Sequence, residues 1–177
     1  MTSAVLPLLL ALVVALASGI AAAQGRQFES DFEDRKKTWK EIEAQLPPQP
    51  KDANLLLFET GSPSGHRFFI DAPSLSVGED GVVRYTLIVK TAGGAVNVSY
   101  EGMRCETRQQ KYYAIGHPGG TWSRALDPQW RRIEAREVNR HHGILYVDYL
   151  CDGRSPARSA RAVIDGLRQR FGPTQFD

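Results

Sequence analysis

The sequence predicts an α+β fold, an antiparallel β-meander of about five strands with helices packed on one face. Three observations carry this. Apolar residues recur with a period of two between Asn54 and Ile115. Glycine-bearing turns, Glu79-Asp80-Gly81 and Gly93-Gly94, separate those runs at hairpin distances. The last third then changes to a helical period, with Ala160, Val163, Ile164, Leu167 and Phe171 on one face before Gly172-Pro173.

The chain opens on an uncharged, mostly apolar run from Ala4 to Ala23, followed by Gln24-Gly25-Arg26. Its second half is built of small residues, and Ala21 and Ala23 form the pair a signal peptidase accepts, so residues 1–23 read as a signal peptide cleaved after Ala23. The alternative is a retained N-terminal membrane anchor, since about 20 apolar residues can cross a bilayer. Residues 24–52 follow as an N-terminal helix and a Pro-rich linker. Ser30 and Glu33 form a capping box, and Phe32, Trp39, Ile42 and Leu46 lie mostly on one stripe, until Pro47-Pro48 stops the helix. Whether it docks on the domain is left open.

Residues 53–173 form the α+β domain. Leu55 to Glu59 predicts the first strand and Gly61 to Gly65 a loop. Arg67 to Ile70 and Ser74 to Val77 predict a second strand, interrupted near Pro73. Val83, Tyr85, Leu87 and Val89 alternate with Arg84, Thr86, Ile88 and Lys90, the clearest strand pattern in the chain. Val96, Val98 and Tyr100 alternate with Asn97, Ser99 and Glu101, and Gly102 suggests a bulge before Met103 and Cys105. Lys111 to Ile115 is the last strand of the meander. Trp122 and Trp130 flank an irregular passage, and residues 139–150 suit a helix, although their β-branched and aromatic content would also suit a strand. Ser155-Pro156 reads as the N-cap and first position of the last helix.

The chemistry is sparse. The two cysteines, Cys105 and Cys151, stand without a CxxC, and in an oxidising compartment they predict one disulfide. It closes a loop of roughly 47 residues, worth about 4 kcal/mol by chain entropy. The four histidines include the adjacent pair His141-His142, whose side chains diverge on a helix, and no HExxH occurs; no metal, cofactor or catalytic residue is assigned. The net charge of +2 argues against a nucleic-acid partner. Arg154, Arg158, Arg161 and Arg168 recur at helical spacings and suggest contact with an anionic surface.

Tyr100-Glu101-Gly102-Met103-Arg104-Cys105 and Lys111-Tyr112-Tyr113-Ala114-Ile115-Gly116, with Leu145-Tyr146-Val147-Asp148-Tyr149-Leu150-Cys151 downstream, resemble the core of the cryptic neisserial protein (CNP-like) family. The resemblance covers Asn54 to Arg168. It implies an exported bacterial protein and this fold, and it assigns no activity. A periplasmic or secreted protein acting as a non-enzymatic binding or interaction module on an unknown envelope component is the leading expectation. The alternative is a hydrolase of an envelope polymer, motivated by Glu101, Arg104 and Glu106 beside Cys105. The candidate binding residues are Arg84, Asn97, Ser99, Glu101, Arg104, Tyr112 and Tyr113. If helices cover Val96, Val98 and Tyr100, the row Asn97, Ser99 and Glu101 looks outward beside Arg84, Thr86 and Lys90.

Overall fold

Six strands follow one another in sheet order: β1 (Leu55–Phe58), β2 (Arg67–Val77), β3 (Val82–Lys90), β4 (Val96–Arg104), β5 (Gln109–His117) and β6 (Thr121–Arg124). Every neighbouring pair is antiparallel. A two-residue strand, β7 (Arg131–Arg132), pairs with β5 beyond the end of β6. The computed structural model describes residues 39–61, 64–134 and 140–172. The signal segment 1–23, the capping box at Ser30 and Glu33, Phe32 of the apolar stripe, and Pro63 and Pro173 lie outside the described residues.

The meander and the helices on one face are as the sequence predicts. Helix α1 (Arg140–Ile144) continues as a π-helical turn over Leu145–Leu150, so residues 140–150 are helical. A small hairpin, β8 (Cys151–Asp152) with β9 (Ser155–Pro156), leads to helix α2 (Ala160–Phe171). The cap of α2 is Ser159, whose hydroxyl accepts from the Ala162 backbone N–H, not Ser155. Ser155-Pro156 is extended because it completes the hairpin with the cysteine segment. Val163 and Leu167 are buried in the core, with Ile164 and Phe171 packed against it.

The main core lies between the helices and one sheet face, where Phe58, Ile70, Tyr85, Leu87 and Met103 meet Leu145, Leu150, Val163 and Leu167. Burying such side chains stabilises the fold by about 1.5–3 kcal/mol each. The Cys105–Cys151 disulfide joins the end of β4 to the segment after the π-turn, with Cα atoms 5.7 Å apart, and ties meander to helices. A smaller cluster of Leu55, Phe69 and Ile88 occupies the opposite face.

That opposite face also carries the clearest departure from the predicted elements. Residues 39–51 hold no regular secondary structure, so Trp39 to Leu46 is not the helix that the capping box and apolar stripe imply. They form a strap over the sheet and belong to the compact unit Trp39–Asp177. Side-chain contacts with the sheet outweigh a modest helical preference. The Glu41 carboxylate accepts from Lys111 Nζ at 2.8 Å, Tyr113 Oη at 2.7 Å and Trp130 Nε1 at 3.0 Å. Arg104 lies 3.8 Å from the Trp39 ring centroid, and Trp130 meets the same ring edge-on at 6.0 Å. Further along, Trp122 Nε1 donates to the Pro47 carbonyl and Gln49 Nε2 to that of Thr121.

Candidate functional site

Strand register decides which candidate residues meet. Tyr85 pairs with Glu101 and Val83 with Met103, so the row Ser99, Glu101, Met103 faces the helices. Arg84 pairs with Gly102 and Thr86 with Tyr100, on the strap face. The expected arrangement is therefore inverted: Glu101 and Ser99 look inward, and Tyr100 lies beneath the strap side. The cause is the position of the irregularity. The β3–β4 pairing runs unbroken from Val82–Arg104 to Lys90–Val96, with no bulge at Gly102. The register shifts instead between β4 and β5, where Tyr113 is the extra residue. Gly102 serves a different purpose, since a Cβ there would stand 2.6 Å from Tyr113 Oη.

Arg84 is buried under the strap. It pairs with Asp80 at 2.6 Å and donates to the Ile42 carbonyl at 2.7 Å. Arg104 holds Glu106 at 2.6 Å and stacks on Trp39, so Glu101 and Arg104 do not converge. Tyr113 is committed to Glu41. Asn97 is exposed and Tyr112 half-buried. Among the four arginines expected to form one stripe, Arg161 and Arg168 lie on α2, but Arg154 sits in the β8–β9 turn and donates to the Glu106 carbonyl, while Arg158 precedes the helix.

The group that does assemble lies between β4 and α1. Glu101 is fully buried and accepts from His142 Nε2 at 2.7 Å, Tyr85 Oη at 3.2 Å and Ser99 Oγ at 2.5 Å. Burial raises the Glu101 pKa, but the charge and hydrogen bond of His142, with the Ser99 bond, outweigh it and hold the carboxyl below its usual range. An ionised carboxylate only accepts, so His142 Nε2 carries the proton. The neighbouring His141 ring is 4.1 Å away and stacks on Phe68. Burial, and then the charge of His142, push His141 down to about 4.

His142 also lines a cleft of about 560 Å3 on the helix side. Gln110 and Tyr112 reach it from β5, Arg131 and Arg132 from β7, and Ile133 and Glu134 from the segment after β7. Two buried polar atoms at this cleft, His142 Nδ1 and Gln110 Oε1, have no hydrogen-bond partner among the described residues. Arg131 is paired with Asp127 at 2.5 Å, whereas Arg132 has no ion-pair partner among the described residues. The Tyr112 ring meets His142 edge-on at 5.9 Å, and burial keeps its phenol protonated well above its ordinary range. No group of three His, Cys, Asp or Glu side chains among the described residues converges to hold a metal.

A model of the CNP1-like family matches residues 34–168. The chain belongs to that family. The match takes in the strap as well as the sheet, the disulfide and most of α2, so in this CNP1-like protein the strap lies within the family region. Neither a curated protein nor a solved structure matches the chain. No helix among the described residues is long and apolar enough to cross a membrane.

Of the cleft residues, Tyr112 is among the candidate binding residues read from the sequence; Gln110, Arg132 and His142 are not. Parity carries a signal for Glu101: it shares strand phase with Met103 and Cys105, both suited to a core. His142 offers none, because its partner lies 41 positions away in the sequence.

Proposed function

We propose that this chain is an exported, disulfide-stabilised cell-envelope protein whose CNP1-like domain is a binding module, with the helix-side cleft as its ligand recess. One observation carries the binding reading: His142 Nδ1 and Gln110 Oε1 are buried at the cleft without partners among the described residues. An unmet buried polar atom costs about 1–3 kcal/mol, a cost that a ligand bonding to it removes. The volume also suits a small molecule. Export is supported by the Ala4 to Ala23 run and by the disulfide.

Native mass spectrometry of the protein recovered from its own cells tests the recess. A small bound mass should appear and should be lost in Gln110→Trp, which fills the cleft. A ligand-free spectrum, or one in which Gln110→Trp retains the mass, refutes the reading. Sequencing the mature N-terminus tests export: Gln24 is expected, and a retained Met1 would support the anchored alternative.

A second reading, hydrolysis of an envelope polymer, draws on the same wall of the cleft. Glu101 orients His142 so that Nδ1 is the nitrogen left to take a proton from water, the arrangement a general base uses. Turnover of polymer that disappears in His142→Gln would favour it over binding alone.

A further inference from the structure

Resting on the cleft as the ligand recess, we infer that its ligand is a hydroxylated acid, a small molecule or glycan residue carrying both hydroxyls and a carboxylate. The argument follows from what the lining residues leave unmet. His142 Nδ1 accepts a hydrogen bond when the ring is neutral and donates one when it is charged. The Gln110 amide presents either its oxygen or its nitrogen, depending on its orientation. A hydroxyl both donates and accepts, so hydroxyls satisfy these two positions in every one of those states. Both atoms are buried and belong to residues that line one cleft, so one polyhydroxylated guest seated there can serve both residues.

The charge follows from the arginines. Arg131 is neutralised by Asp127, and Glu134 already has an interaction of its own, so neither sets the selectivity of the cleft. Arg132 remains as the guanidinium without an ion-pair partner among the described residues, and its planar donors fit a carboxylate in a bidentate mode. Tyr112 lines the same cleft and adds an aromatic ring, a group on which a sugar can rest. A neutral sugar would leave Arg132 unmet, and a simple acid, having no hydroxyl, could not donate to His142 Nδ1 or Gln110 Oε1 where they accept.

Calorimetric titration with D-glucuronate, D-glucose and acetate separates these contributions, and NMR of the imidazole carbon-bound protons locates binding at His142. Glucuronate should bind at least ten-fold more tightly than glucose or acetate and should shift the His142 resonances. Arg132→Gln, at an exposed position that leaves the fold intact, should weaken glucuronate at least ten-fold and leave glucose unchanged. A uronate oligomer distinguishes the two sources of this chemistry: ten-fold tighter binding than the monomer points to a glycan chain, and equal affinity to a free acid. Glucose binding as tightly as glucuronate, or Arg132→Gln leaving glucuronate unaffected, overturns the acid assignment while the recess stands. No binding of any of these probes also overturns it, and the bound mass from native cells judges the recess independently.

Discussion

Glu101 is a carboxylate placed where a sheet of this kind ordinarily buries an aliphatic side chain, and three donors hold it there. Its cost in lost hydration is met by the His142 pair, so the two residues stand or fall together. Removing the carboxylate leaves the His142 Nε2–H and the Tyr85 and Ser99 hydroxyls without their buried acceptor. Glu101→Ala is therefore expected to destabilise the domain by about 1–3 kcal/mol for each buried donor left unmet, read as a lowered midpoint in urea unfolding. A change of a few tenths, the value for a solvated sheet face, would contradict the inward position of this side chain. Arg84 is at a similar disadvantage on the other face, since Asp80 and the Ile42 carbonyl both depend on its guanidinium.

At the scale of elements, the strap and the β4–β5 register depend on one another. Tyr113 leaves the ladder as the extra residue and passes over Gly102 to reach Glu41. Gly102→Ala forces that ring aside, with an expected loss of about 1–3 kcal/mol and quenched or shifted Trp39 fluorescence. Acid should loosen the strap by another route. Burial raises the Glu41 pKa, but its bonds to Lys111, Tyr113 and Trp130 lower it further, and the Asp80 carboxyl is lowered by Arg84 against its own burial. Depressed carboxyls stabilise the fold fully above their unfolded values, about 4, and that contribution is lost as pH falls through the folded ones. Tryptophan emission should thus change below about pH 4 and recover on neutralisation; a flat profile from neutral to pH 2 would refute this electrostatic latch. The strand alternation from Leu55 to Ile115 was legible in the sequence because one period governs both local shape and burial. The strap was not, because Trp39, Ile42 and Leu46 satisfy a helical stripe equally well, and the groups that capture Glu41 come from β5 and the segment after β6. The inverted face of β4 has the same origin: Gly102 announces an irregularity, but the sequence does not tell which strand absorbs it.

Across the whole molecule, the sheet is covered unequally. Helices cover the face that carries Phe58, Tyr85 and Met103, and the disulfide anchors their connection to β4. With both sulfurs paired, thiol titration under denaturing conditions should find no free thiol. The Cys105→Ala/Cys151→Ala double variant should lose about 4 kcal/mol through the wider unfolded ensemble, while the cleft residues keep their register on β5 and β7. An unchanged unfolding midpoint would show that the bridge is dispensable.

The strap imposes an order in time. It precedes every strand along the chain, yet Glu41 engages residues 70 to 89 positions later. As the polypeptide emerges from its N-terminus, this segment is therefore made first and must wait for β5 and Trp130 before it can dock. Contacts of such separation form slowly because a long loop must close before they are gained. The meander can assemble with one face still bare, and until the strap closes over it, its aromatic layer of Tyr100, Tyr113 and Trp122 stays open to whatever the nascent chain meets.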